Sequence, residues 1–107
     1  MTLRLSPRAE TDLREIWDYI AQESGSPDIA DRQIAAITER FFILAEHPHM
    51  GRVRDEDLGP GRRSLAVNRR YIIVYTTDGD DVFVLRAVHG RRDLRALMQD
   101  GEPQGGP

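Results

Sequence analysis

The chain has 107 residues, no cysteine and a formal net charge of −3. That length supports one modest core, and the missing cysteines exclude disulfide staples and thiolate metal sites and leave a reducing cytoplasm as the natural compartment. The N-terminal MTLRLSPRAETD has no apolar signal region and no apolar run nears membrane-spanning length, so neither a signal peptide nor a membrane span is expected.

Leu3-Arg4-Leu5 alternates and predicts a short edge strand. Ser6 is an N-cap with Pro7 at the first helical position, where the missing N–H costs nothing. Ala9, Leu13, Ile16, Trp17 and Ile20 then recur at helical spacing, with Glu10, Asp12, Glu15 and Asp18 off the stripe. Ser24-Gly25-Ser26 ends that helix near Glu23, and Ser26-Pro27 starts another, with Ala30, Ile34, Ile37, Phe41 and Leu44 on one face and its end before His47-Pro48. Two amphipathic helices joined so closely form a helical hairpin that needs an apolar partner.

His47–Gly61 has turn chemistry and no period, and reads as a loop. Arg62–Val67 predicts a strand, Asn68-Arg69 a tight connection, and Tyr71–Thr77 with Val82–His89 an antiparallel hairpin around Asp78-Gly79-Asp80-Asp81. Asp93–Gln99 predicts a helical turn or a last short strand. Residues 1–99 are expected to form one domain, and 100–107, rich in Gly and Pro, a disordered tail. The expected fold is α+β: an N-terminal helical hairpin on one face of a small, mostly antiparallel sheet.

In the second hairpin strand, Phe83, Leu85 and Ala87 are expected on one face, and Val82, Val84, Arg86 and Val88 on the other. This predicts a face beyond the helices that carries Arg86 among valines, open to a partner. Charge is distributed unevenly. Acids outnumber arginines up to Glu46, whereas eight arginines (Arg62, Arg63, Arg69, Arg70, Arg86, Arg91, Arg92 and Arg95) crowd the segment from 62 to 95. All fifteen basic residues are arginine, so each cation is permanent and forked for phosphate or carboxylate, and no lysine base exists.

Ser-Pro-Arg-Ala at the first helix, His-Pro-x-Met-Gly-Arg after the second, and Leu-Arg-x-Val-His-Gly-Arg-Arg-Asp at the end come in an order that resembles the ParE/RelE superfamily of toxins, its ParE branch above all. The likeness runs from Leu5 to about Leu97. One departure is Asn68-Arg69-Arg70, which stands in place of the usual Gly-Arg. The resemblance implies a toxin of a type II toxin–antitoxin pair that poisons DNA gyrase without bond chemistry of its own. A ParD-like antitoxin would neutralise it in a hetero-oligomeric complex. The chain alone would not bind DNA sequence-specifically.

Under that resemblance Arg91, Arg92, Asp93, Arg95 and Met98 contact the target, and Trp17, Tyr71, Ile73 and Arg86 the antitoxin. The RelE alternative is a ribosome-dependent endoribonuclease, for which Arg54, Arg63, Arg86 and His89 are the candidates; a third is a non-toxic antitoxin-binding remnant. Cleavage by 2′-hydroxyl attack needs cations and a proton carrier, and no tyrosine follows His89 to supply the latter. No cofactor or metal is expected: His47 and His49 lack further ligands, and the acidic runs at 55–57 and 78–81 lack the spacing of a coordination sphere.

Overall fold

A computed structural model describes residues 2–100, with Gln99 and Asp100 as backbone alone. Leu3–Leu5 forms strand β1, and the chain enters helix α1, Pro7–Ser24, through Ser6, whose hydroxyl accepts the Ala9 amide at 2.9 Å. Gly25, at φ 68°, closes the helix by donating its N–H to the Ala21 carbonyl, in the left-handed geometry that glycine adopts without steric cost. Ser26 caps α2, Pro27–Glu46, and Trp17 joins the two helices by donating Nε1–H to Asp31 Oδ1 at 2.8 Å.

The rest is sheet. Strands β2 (Arg52–Val53), β3 (Arg62–Val67), β4 (Tyr71–Asp78) and β5 (Asp81–His89) stand with β1 in the order β1-β5-β4-β3-β2. Every pairing is antiparallel except β1 with β5. The expected fold class and the central place of the hairpin are as observed. Ala9, Ile37, Phe41 and Leu44 of the helices meet Val67, Tyr71, Ile73, Tyr75, Val82 and Val84 of the sheet in the main core.

The expected alternation of β5 is corrected at one point. Tyr75 pairs with Val84 but Val74 pairs with Arg86, so Leu85 is an extra residue and the strand bulges there. Up to the bulge Val82 and Val84 face the helices in the main core, and Arg86 reaches Asp12 on that same side, while Leu85 packs with Val74 on the far side. Past it the faces exchange: Ala87 pairs with the core residue Ile73, and Val88 with Ile72 of the far cluster. A bulge leaves backbone groups without ladder partners, and buried ones must find others. Helix α1 and its cap supply them: the Ser6 hydroxyl donates to the Leu85 carbonyl at 2.9 Å, and Asp12 Oδ2 accepts the Ala87 N–H at 3.0 Å.

The far face is not open either. The segment read as a loop contains β2 and a single helical turn, α3, Asp55–Leu58; the chain after Asp93 is helical, α4, Leu94–Asp100. Leu58 of α3 and Met98 of α4, with Leu94 beside them, pack against Val74, Ile72 and Leu85. The expected half-apolar, partner-seeking face is therefore covered by the chain itself. A two-residue strand and a four-residue helix have no readable period, which is why the sequence showed only a loop. The expected disordered tail, 100–107, lies outside the described residues except for Asp100, the last residue of α4.

Candidate functional site

The antiparallel ladder brings two arginine pairs to one end of the sheet. Between β3 and β4 the Arg70 N–H returns to the Val67 carbonyl at 3.0 Å, and the central residues Asn68 and Arg69 have φ of 53° and 60°. Positive φ at both central positions is the primed turn whose twist matches that of the strands. At the neighbouring end of β5, Gly90 donates its N–H to the Arg70 carbonyl at 2.7 Å, which ties the two connections together. Arg69 and Arg70 therefore stand beside Arg91 and Arg92.

His89 shapes the second connection. Its Nδ1 accepts the Arg91 N–H at 3.1 Å, its carbonyl accepts the Arg92 N–H at 3.0 Å, and its ring meets Tyr71 edge-on with centroids 5.8 Å apart. An accepting Nδ1 carries no proton, so the imidazole acts here as a backbone brace. Asp93 follows, and its Oδ1 accepts the Ala96 N–H as the cap of α4. Leu94 and Met98 hold that short helix to the sheet, which leaves Arg95 on its outer side. Arg69, Arg70, Arg91, Arg92 and Arg95 are all exposed and make no side-chain hydrogen bond or ion pair among the described residues.

A groove of about 1160 Å³ separates this rim from the helical hairpin. Ile16, Ile20, Tyr19 and Ile29 line its helical side and Tyr71 and Ile72 its sheet side, while Glu15 and Glu23 of α1 face the arginines across it. One wall is acidic, the other is basic, and the floor is apolar.

Arg54, Arg63 and Arg86 are occupied. Arg63 donates to the His49 and Gly51 carbonyls at 3.1 and 2.9 Å. Tyr75 completes the same clamp: its hydroxyl accepts the Gly51 N–H at 2.8 Å and donates to the Pro48 carbonyl at 2.9 Å. Arg54 binds the Asp57 carboxylate, holding it below the ordinary carboxylate range, and donates to Ser64 Oγ at 2.9 Å. Arg86 places Nε and Nη2 on Asp12 at 2.8 and 3.0 Å, both residues being buried, while its Nη1 has no partner among the described residues.

Arg54, Arg63, Arg86 and His89 are thus not brought together. Arg63 lies opposite Tyr75 and His89 opposite Tyr71, about 13 Å apart along β4 at the strand rise. All four make internal bonds, the arginines through their guanidinium groups and His89 through Nδ1. Among the described residues, no group of three or more His, Asp or Glu side chains is arranged to hold a metal ion. No helix there is long and apolar enough to cross a membrane.

The model of the ParE toxin of type II toxin–antitoxin systems, parDE, matches residues 3–94. The chain belongs to the ParE toxin family. It is 38% identical to Toxin ParE1 of Caulobacter vibrioides over 97 residues, covering 89% of this chain and 95% of that one. It is 31% identical to Toxin ParE1 of Mycobacterium tuberculosis, over 84% of this chain and 90% of the relative. A solved chain from the chromosomal ParDE system of P. aeruginosa superposes with a TM-score of 0.72 at 26% identity, over 83% of this chain and 95% of that one.

In this ParE toxin the residues expected to contact the antitoxin are scattered. Tyr71 lines the groove. Trp17 is half-buried between the helices, and Ile73 and Arg86 lie inside the core with no surface to offer. Met98, expected at the target surface, is buried beneath α4, while Arg91, Arg92, Asp93 and Arg95 are exposed. The sequence reading missed Asp12 as a core residue. Its signal was present, because Ala9, Asp12 and Ile16 share the i, i+3, i+7 face, but a carboxylate does not register in an apolar stripe. The hairpin pattern already groups Arg69 and Arg70 with Arg91, Arg92 and Arg95 at one end; the backbone bond that ties the two turns together is seen only in the structure.

Proposed function

We propose that this ParE toxin binds DNA gyrase and stalls it with cleaved DNA, and that a ParD-like antitoxin holds the toxin inactive in a hetero-oligomer. The observation that carries the reading is the unpaired arginine rim, which ends in a short helix braced by Asp93 and Met98. Arg91, Arg92, Asp93 and Arg95 present the target-contacting surface, and Met98 fixes the helix that carries them. Binding chemistry suits this arrangement, since the exposed arginines are permanent cations and the His89 imidazole beside them braces the Arg91 backbone.

The antitoxin lies in the groove between the helical hairpin and the rim. An amphipathic segment there covers Tyr19, Ile29 and Tyr71 with its apolar side and sets acids against Arg70, Arg91 and Arg92. Antitoxin and target then compete for one set of arginines, which is how neutralisation works in this reading. The test is a supercoiling assay with purified gyrase, with and without the adjacently encoded antitoxin. Loss of supercoiling with accumulated cleaved DNA, reversed by antitoxin, is expected. Unaffected gyrase with a folded toxin preparation would overturn the reading.

A further inference from the structure

Arg69 occupies a backbone position that its side chain disfavours. Its φ is 60° and that of Asn68 is 53°. Asn tolerates the left-handed region because its side chain is short and polar, whereas the second central position of a primed turn ordinarily takes glycine. A long side chain there is strained, its Cβ crowding the following carbonyl. Residues held in that way occur where the side chain is needed for function. What this one adds is charge.

Arg69, Arg70, Arg91 and Arg92 extend four permanent cations from adjoining turns that are tied by the Gly90–Arg70 backbone bond. None makes a side-chain hydrogen bond or ion pair among the described residues. The nearest acid in the chain, Asp93, is exposed and engages the Ala96 N–H of α4 through Oδ1. Such a group of like charges repels itself, and a polyanion relieves that.

We propose that this rim is a binding site for the phosphodiester backbone of a polynucleotide, independent of base sequence. The guanidinium fork fits phosphate oxygens in pairs. Neighbouring strands lie about 4.8 Å apart, so the four forks cover a few successive phosphates. A polynucleotide strand carries one charge per ~3.4 Å of axis, whereas a peptide matches that only with an unbroken acidic run. Glu15 and Glu23 line the facing wall of the groove, so the polyanion crosses the turn tips and stays out of the groove. The net charge of −3 keeps binding weak unless a target already holds the nucleic acid. Naming DNA as the source rests on the gyrase reading; the backbone chemistry does not.

The test is fluorescence anisotropy of the full chain at low salt with a short DNA duplex, single-stranded RNA of equal length and a glutamate-rich peptide. Four phosphate contacts give a duplex salt slope of roughly −3.6. Arg69→Gly is expected to weaken duplex binding roughly three- to tenfold and to flatten the slope by about 0.9. Its melting temperature should be unchanged or up to roughly 5 °C higher, because glycine relieves the turn. Arg91→Gln with Arg92→Gln should weaken binding further. Tighter RNA than duplex binding keeps the site and assigns RNA as its source. Equal duplex affinity for Arg69→Gly and the parent overturns the proposal, as does rim-dependent binding of the peptide alone. Duplex binding with untouched gyrase would remove the gyrase reading and leave the rim standing.

Discussion

Asp12 and Arg86, 74 positions apart in sequence, form the most buried ion pair among the described residues, with Nε and Nη2 of the arginine at 2.8 and 3.0 Å from the two carboxylate oxygens. The same carboxylate accepts the Ala87 N–H, so one side chain of α1 satisfies both the cation and the backbone released by the bulge. The pair belongs to the architecture and is sealed from any partner.

Removing one member leaves a buried charge without compensation. Asp12→Ala is expected to destabilise the fold by about 3–5 kcal/mol, since the Ala87 N–H also loses its acceptor. Arg86→Met in the Asp12→Leu background should recover part of that loss, because an apolar pair needs no desolvation. Denaturant titration of the single and double variants checks this. Equal stability of Asp12→Ala and the parent would show that water replaces the carboxylate.

The His-Pro-His-Met-Gly segment depends on the contact between Gly51 and Tyr75. A Cβ at Gly51 would lie 2.7 Å from the Tyr75 ring and 2.9 Å from the Ser64 carbonyl. Gly51→Ala therefore forces β2 away from β3 and is expected to cost about 1–3 kcal/mol by overpacking. Tyr75→Phe keeps the ring but orphans the Gly51 N–H and the Pro48 carbonyl, with a loss of about 1–3 kcal/mol. Melting temperatures of both variants, with hydrogen exchange of residues 48–53, test the clamp.

Stability should fall at alkaline pH through the two core phenols. Burial pushes Tyr71 and Tyr75 above the ordinary value of 10.0, against smaller opposing effects of Arg70 on the first and the Gly51 N–H on the second. A raised folded value means that the neutral phenol is favoured in the fold. The contribution is fully present below pH 10 and is lost as pH rises through the folded values, because the unfolded tyrosines ionise first. Thermal melts from neutral pH upward should show this decline, and Tyr71→Phe should make it shallower.

Reversing charge at Arg91 and Arg92 with Glu is expected to abolish gyrase inhibition while the melting temperature changes little, as both side chains are exposed and have no side-chain partner among the described residues. Met98→Ala should act differently. It removes the anchor of α4 from Val74 and Leu58, lowers stability by about 2–3 kcal/mol and weakens inhibition through a loosened helix. Full inhibition by the charge-reversed protein would move the target surface elsewhere.

Local chemistry determined much of this protein in advance. Ser6-Pro7 and Ser26-Pro27 start the two helices, Gly25 ends the first, and the apolar runs on both sides of Asp78–Asp81 form the central hairpin, because caps, turns and periodicity act between residues a few positions apart. The same short-range patterns, in their order, carried the resemblance to the ParE family. Tertiary structure decided the rest. The bulge at Leu85 changes the faces of β5, and a one-residue slip cannot be seen in a strand that is apolar on both sides. Asp12 becomes a core residue only because the bulge presents a cation and a free N–H beneath α1. Among the arginines, Arg63 and Arg86 are occupied and Arg69, Arg70, Arg91 and Arg92 exposed because of the strands and the helix that folding sets beside them, since charge in a sequence carries no sign of a partner distant along the chain.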